Sequence, residues 1–399
     1  MKVLQLHSRY REPGGEDVVV AGEAELLRAA GHQVVSHHVT NPAGAAASAA
    51  KLATSAWSLA AARDVRALVE RHRPDVAHVH NTWYALTPSV VAALDKAGVP
   101  VVVSLHNHRM LCVNADLLRD GLPCESCVGK VPWRGIVHRC YRDSAVSSAA
   151  SALAITANRA AGTWERHVRL FLCLTEFARG LFVRGGLPAD KLIVKPNFVP
   201  DPGRRELPPS ASRTLLTVGR LEARKGVGPL LDAWGDLNSR LGPGHGMELV
   251  MVGDGPLRAQ LAARELPGVR LLGRQSAGEV RRLMRAARAL VFPSVLYEGQ
   301  PMVTLEAFAS GLPVLASDLG GNGELVGAVG KRWVVPPADR AAWAEALADL
   351  ATMPGDELDE AGAHGRRIYE AEFTPEAAVA ALEGAYAVAM EATPRARTG

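Results

Sequence analysis

No run of about eighteen apolar residues occurs in this chain, which excludes a helix that spans a bilayer. Nor does a secretory leader open it: Met1-Lys2 runs into a short strand and then into charged residues, so the expected location is cytoplasmic. Charge of one sign is also scarce. The formal net charge is only +4, and the basic residues are dispersed, which excludes the clustered footprint of a nucleic-acid binder. The nearest approach to a cluster is Arg281, Arg282, Arg285 and Arg288 on a predicted helix from Glu279 to Ala289, and it reads as a solvated face. Several chemical signatures are missing: Gly-x-Ser-x-Gly, His-Glu-x-x-His, the phosphate loop ending in Gly-Lys-Ser/Thr, and Gly-x-Gly-x-x-Gly. These absences argue against a serine hydrolase elbow, a zinc peptidase helix, a nucleotide triphosphatase and a simple dinucleotide fold.

What is present is enough chain for two domains: 399 residues, 48% of them apolar. Short β-branched runs alternate with helical segments, the pattern of parallel sheets with right-handed crossovers. In the first half they are Val3–Leu6, Val34–His37, Val76–His80, Val101–Leu105, Phe171–Leu174 and Leu192–Lys195. The second half holds Leu215–Val218, Leu249–Val252, Val269–Leu272, Leu290–Phe292, Val314–Ala316 and Trp333–Val335. Pro200 to Pro209, rich in Pro and charge, reads as the linker. Ala43 to Ala62 is Ala-rich and carries Trp57; it reads as a packed helix or as a surface helix with weak membrane or acceptor contact. The tail from Thr393 to Gly399 is expected to be disordered.

Two carboxylates stand out in the second half. Glu298 and Glu306 lie in an otherwise apolar stretch from Ser294 to Gly311, with Pro301 suited to a helix start and Gly311 to its end. A buried helix does not carry a bare carboxylate without a partner or a task. The backbone of Gly299, Gln300, Pro301, Met302 and Val303 would form the helix N-terminus, which offers N–H groups and a positive dipole end to an anion. After the strand ending at Val218 comes a Gly-bounded loop with Arg220 and Lys225, at the carboxyl end where ligands bind in open α/β sheets. Gly14 and Gly15 join the first strand to the helix from Asp17 to Ala30, and without Cβ atoms they let a diphosphate come close. Such a set suits a sugar nucleotide; glycosidase-type use of the two carboxylates fits the helix position less well.

The ordered set Gly14-Gly15, Leu105-His106-Asn107, Pro196-Asn197-Phe198-Val199, Val218-Gly-Arg-Leu221 with Lys225-Gly226, Val252-Gly-Asp-Gly-Pro256, Glu298 with Glu306, and Gly320-Gly-Asn-Gly-Glu324 resembles the family 4 retaining glycosyltransferases. The resemblance runs through most of the chain and implies the GT-B fold: α/β, two Rossmann-like doubly wound domains facing across a cleft. It implies an acceptor-binding domain over 1–198, a donor-binding domain over 199–375, and a final helix within 376–399 that crosses back to the first domain. Arg220 and Lys225 would then bind the diphosphate of a UDP- or GDP-sugar, Glu298 the sugar hydroxyls and Glu306 the ribose hydroxyls. His106 resembles the histidine beside the donor sugar, although His80 and His108 also end or follow strands. Where the family usually has Phe-Gly after Glu298-Gly299, this chain has Gln300-Pro301. The implied activity is transfer of a hexosyl-type sugar, with retention, to a hydroxyl of a glycan, a lipid-linked sugar or a small natural product. No catalytic metal is expected, since fixed cations and N–H groups would carry the leaving group's charge. The alternatives are a sugar-nucleotide epimerase and a non-catalytic sugar-nucleotide binder.

Cysteine is sparse but concentrated, with Cys112, Cys124, Cys127 and Cys140 inside a loop-rich insertion at 112–140. Three readings fit: a structural zinc held by the four thiolates, unligated thiols, and a redox or disulfide pair. The insertion follows His106 closely and is expected to shape the acceptor side. Cys173, in an apolar run, reads as a core residue.

Overall fold

The computed structural model describes residues 1–9, 14–41, 52, 54–242 and 244–391. The loop residues 11–13, residues 43–51 and 53 of the Ala-rich segment, and the tail from 392 lie outside them. Two compact units are present, one built from 1–119, 124–196 and 376–399, the other from 120–123 and 197–375.

The first unit holds β1 (Lys2–Arg9), β2 (Gln33–Thr40), β3 (Val76–Asn81), β4 (Val101–Leu105), β5 (Leu170–Cys173) and β6 (Leu192–Val194). They form a parallel sheet in the order β2-β1-β3-β4-β5-β6. β3, β4 and β5 are buried along their whole length, as parallel strands covered on both faces must be. One face is covered by the helix Pro375–Glu391: Leu382, Ala385, Tyr386 and Ala389 pack with Val3, Val76, Val102 and Leu172.

The second unit repeats the plan with β7 (Thr214–Val218), β8 (Glu248–Val252), β9 (Val269–Gly273), β10 (Ala289–Phe292), β11 (Val314–Ser317) and β12 (Val334–Val335). Its parallel order is β9-β8-β7-β10-β11-β12. The strand order therefore reverses between β7 and β10. In sheets of this kind the crevice at the carboxyl ends of the two central strands is where ligands bind.

Two sequence-based expectations are corrected here. Arg288 is not on a solvated face: the helix ends at Ala286, and the buried Arg288 guanidinium donates to the carbonyls of Leu350 at 2.8 Å and Met353 at 3.2 Å. A buried cation is tolerable there because carbonyl oxygens replace its water. The run 200–209 is also not a loose connection. Arg205 donates to Gly311 O and Ala287 O, and Asp201 is paired with Arg366, so this stretch is laced onto the second unit.

Candidate functional site

In the second unit the loops after β7 and β10 meet at the switch point. Backbone contacts fix them: Val295 N donates to Arg224 O at 3.0 Å, and Ser294 Oγ to the same carbonyl at 3.3 Å. Side chains then follow, with Lys225 Nζ 2.6 Å from Glu298 Oε1 and Ser294 Oγ donating to that oxygen at 2.7 Å. The sequence-predicted Lys225 and Glu298, 73 positions apart, are thus in direct contact. Arg220 sits on the same loop, half in water, with its Nε 3.8 Å from Glu222 Oε2.

Glycine makes this meeting possible. Gly226 has φ +68°, and a Cβ there would lie 1.8 Å from Pro293 O. Gly253, in the Gly-Asp-Gly-Pro run, has a Cβ position 1.8 Å from Gly219 O. The run is therefore a support for the Arg220 loop, which it holds through Gly219 N to Val252 O and Leu221 N to Asp254 O at 3.0 and 2.9 Å. Gly226→Ala is expected to cost about 1–3 kcal/mol of stability through forced backbone strain and to shift Lys225 off its position. Denaturant unfolding of that variant measures it; an unchanged midpoint would show that the loop has slack.

The helix Met302–Ala309 begins directly after Pro301, and no side chain caps its N-terminus. Burial raises the Glu306 carboxyl, with the nearby Arg281 acting the other way. Among the described residues its carboxylate has neither a hydrogen bond nor an ion pair to a side chain, so of the two options for a carboxylate on this helix, partner or task, the partner is missing. Thr304 Oγ1 donates to Asn322 Oδ1 at 2.8 Å, which ties this helix to the Gly320–Gly327 helix. Gln300 is a structural surprise. It is buried, and its Oε1 accepts from Asn197 N at 2.6 Å while its carbonyl accepts from Asn197 Nδ2 at 3.4 Å, so both oxygens are engaged at the chain's entry into the second unit.

The first unit assembles its own cluster at the carboxyl ends of β1, β3 and β4. Asn107 Nδ2 donates to Glu16 Oε2 at 3.4 Å and His7 Nε2 lies 3.0 Å from Asp17 Oδ1, which brings the start of the helix Gly15–Ala29 beside His106. Gly14 and Gly15 are therefore next to that histidine's strand end, and the space over Gly14 is open where a Cβ would be. Of the three candidate histidines, His80 and His108 are buried, and His106 keeps partial exposure. His80 Nδ1 is 3.0 Å from His106 Nε2, with the rings stacked.

Beneath them lies a polar core that the sequence did not reveal. Glu23 and Lys195 form a buried ion pair, side chains 1% and 2% exposed. The second carboxylate oxygen of Glu23 lies 3.8 Å from His78 Nδ1 and 3.7 Å from His80 Nε2. These three ligand-type residues converge within 4.8 Å, yet the site does not suit a cation. His78 spends Nδ1 on Tyr386 OH and Nε2 on Ser104 Oγ, both at 2.8 Å, and the Lys195 ammonium already neutralises Glu23.

Burial dominates the titration of these rings. It pushes His78 down to about 4 and His106 to about 3, each opposed only in part by Glu23, and it holds His80 well below 6.5. Each therefore binds a proton less readily folded than unfolded. Their contribution to stability is complete above about pH 6.5, the unfolded value, and is lost as pH falls towards the folded values. For the fully buried His78 the loss at pH 5 is about 2 kcal/mol, and His80 acts in the same direction. The melting temperature is expected to drop by about 5 °C or more between pH 7 and pH 5. A flat profile over that interval, measured by calorimetry, would contradict the neutral assignment.

The cysteine insertion reads from its sequence as holding a structural zinc, unligated thiols or a redox pair. Among the described residues no three of Cys112, Cys124, Cys127 and Cys140 bring their sulfur atoms within 4.8 Å of one another. Cys112 Sγ donates to Asn114 Oδ1 at 2.9 Å, and burial pushes this thiol up to about 11. Leu111, Val113, Ala115 and Leu117 are buried, and Arg109 donates to the carbonyls of Val113 and Asn114.

Comparison with known proteins now bears on this geometry. Residues 13–201 match the family described as Glycosyltransferase Family 4, and residues 212–353 match Glycosyl transferases group 1. The chain belongs to the group 1, family 4 glycosyltransferases. Among curated relatives, the amylovoran biosynthesis glycosyltransferase AmsK of Erwinia amylovora is 28% identical over 47% of this chain and 48% of its own length. The phosphatidyl-myo-inositol mannosyltransferase of Mycobacterium leprae is 36% identical over 41% of this chain and 44% of its own. The chain thus spans about half the length of the curated relatives it matches. Over the whole chain the fold is that of Anabaena HepE solved in complex with UDP and glucose, with TM-score 0.64 and 18% identity over 96% of this chain and 99% of that one. The fold of this glycosyltransferase is the GT-B type. No helix among its described residues is long and apolar enough to cross a membrane.

Proposed function

We propose that the protein transfers a hexosyl-type sugar from a nucleoside diphosphate sugar to an acceptor hydroxyl with retention of configuration. The 197–375 region would hold the donor and the 1–196 region the acceptor. The observation that carries this reading is the Lys225–Glu298 contact at the β7/β10 switch point, beside an uncapped helix that bears the unpartnered Glu306. Each group holds a place for a ligand atom. Lys225 and Arg220 would take the diphosphate, Glu298 the sugar hydroxyls, and Glu306 the ribose hydroxyls, while Gly299 to Val303 present the backbone N–H groups of the helix start. HepE, solved with UDP and glucose, supports a UDP-sugar as the donor to test first.

The chemistry needs charge stabilisation more than a nucleophile. The bond from the anomeric carbon to the diphosphate oxygen breaks, the acceptor oxygen bonds to that carbon from the same face, and the acceptor proton passes to a diphosphate oxygen. Negative charge grows on the leaving group, where Arg220, Lys225 and the helix N-terminus lie, and such preorganised groups contribute a few kcal/mol each. Near neutral pH the uncharged His106 would accept or donate a hydrogen bond at the sugar without adding charge. A panel of UDP- and GDP-sugars screened by thermal stabilisation, followed by mass spectrometry of products with candidate acceptors, tests the reading. Conversion of a nucleotide sugar without acceptor would instead identify an epimerase, and donor binding without diphosphate release a non-catalytic binder.

A further inference from the structure

The first unit contains a pocket that reaches from His106 into the interior between β3, β4 and the helix Ala145–Ala160. Its apolar walls include Trp83, Val103, Met110, Ile155 and Trp164. A sugar subsite would be expected to offer carboxylates and amides with spare hydrogen-bonding capacity; this pocket does not. Among its described lining residues there is no Asp or Glu.

Several of the polar side chains on its walls are already engaged. Asn158 Nδ2 donates to the carbonyls of Ala56 at 3.0 Å and Ala154 at 2.9 Å. Ser104 Oγ is bound to His78, and Asn81 donates to Ser8 O while accepting from Trp83 N at 2.8 Å. The one cation, Arg109, donates to Val113 O and Asn114 O, and its guanidinium lies 4.8 Å from the ring centres of both Trp83 and Tyr141. With no carboxylate and these groups engaged, hydroxyls entering here would find few partners to replace their water, whereas an apolar body would bury its surface against the tryptophans and aliphatic side chains.

We propose that this pocket receives an uncharged apolar group of the acceptor, so that the accepting hydroxyl is carried by, or joined closely to, a hydrophobic body and not by a bare glycan. This rests on the reading of the protein as a glycosyltransferase with His106 beside the transferred sugar, because His106 is part of the pocket wall. The pocket selects a class of acceptor: a ring or short branched hydrocarbon fits between the two tryptophans, and the hydroxyl is left at the His106 end.

The test uses the full chain and three probes. These are 2-naphthol, phenyl β-D-glucopyranoside and methyl β-D-glucopyranoside, of which the last two differ only in the aglycone. Binding is read by quenching of tryptophan fluorescence, since Trp83 and Trp164 line the pocket, and transfer is read by product mass with the best donor of the panel. We expect 2-naphthol to bind with Kd below about 1 mM and the phenyl glucoside to bind at least about 10-fold more tightly than the methyl one. Ile155→Trp, which fills the pocket, should remove both effects while thermal stabilisation by the nucleotide sugar persists. Should that variant fail to fold, Met110→Ala, at a half-buried position, should weaken the probes about 5-fold or more. Equal affinity for the two glucosides, or naphthol binding unaffected by both variants, overturns the proposal. If neither glucoside is glycosylated, the binding ranks alone decide. Failure of the underlying reading has a different signature: no nucleotide sugar stabilises the protein, whatever the probes do.

Discussion

Lys225→Ala is expected to lower turnover about 100-fold or more, because it removes a fixed positive charge from the place where the leaving diphosphate gains its negative charge. The loss should fall mainly on kcat, since charge develops most fully in the transition state. Structure adds a second expectation. The Lys225 ammonium and the Glu298 carboxylate are 24% and 14% exposed, so removing the lysine leaves Glu298 with Ser294 Oγ as its one side-chain partner among the described residues. A cost of about 1–2 kcal/mol in stability follows. Arg220→Ala separates the two effects. Its side chain is 53% exposed, where solvent screens charge contacts, so turnover should fall comparably while stability changes little. Steady-state diphosphate release and thermal unfolding of both variants check this. Near-normal rates in both would remove these cations from the diphosphate site.

The meeting of Lys225 with Glu298 was legible because its signals are local. A Gly-bounded cationic loop after one strand, and a carboxylate loop before a Pro-started helix after another, need only the strand order of a doubly wound sheet to bring Lys225 and Glu298 together. The strands were legible for the same reason: runs such as Val101–Leu105 are uniformly apolar because both faces of the sheet are covered. Pairings that span the chain left no such trace. Glu23 lies on an amphipathic helix where a carboxylate reads as exposed, and Lys195 is 172 positions away, so nothing in the sequence says that they meet at full burial. Arg288 was misread for a related reason: Arg281 and Arg282 earlier on the helix are exposed, but the helix ends before Arg288 and carbonyls from 350 and 353 close around it. Spacing among the cysteines suggested a metal site, yet the apolar side chains at 111–117 already anchor that insertion. Gln300 was counted with the donor-contacting backbone, and only the fold shows its side chain turned to Asn197.

Lys195→Met is expected to destabilise the protein by about 3–5 kcal/mol at pH 8, since it strands a buried carboxylate. Burial alone would raise the Glu23 carboxyl, but Lys195, aided by His78, outweighs that and keeps it below its ordinary value. Without the lysine the balance reverses, and the folded state would hold a proton on Glu23, or on His78 or His80 beside it, that the unfolded chain at the same pH does not. The sign then follows from linkage: a folded pKa above the unfolded one gives stability that grows as pH falls. The gap between wild type and variant should therefore narrow from pH 8 to pH 5, even as the neutral histidines make the wild type itself less stable in acid. The double variant Glu23→Gln with Lys195→Met should recover part of the loss, because neither remaining side chain carries a buried charge. Urea unfolding at several pH values measures all three. A loss below about 1 kcal/mol for the single variant would mean that water reaches Glu23 and that the pair is not the dry, buried ion pair its burial implies.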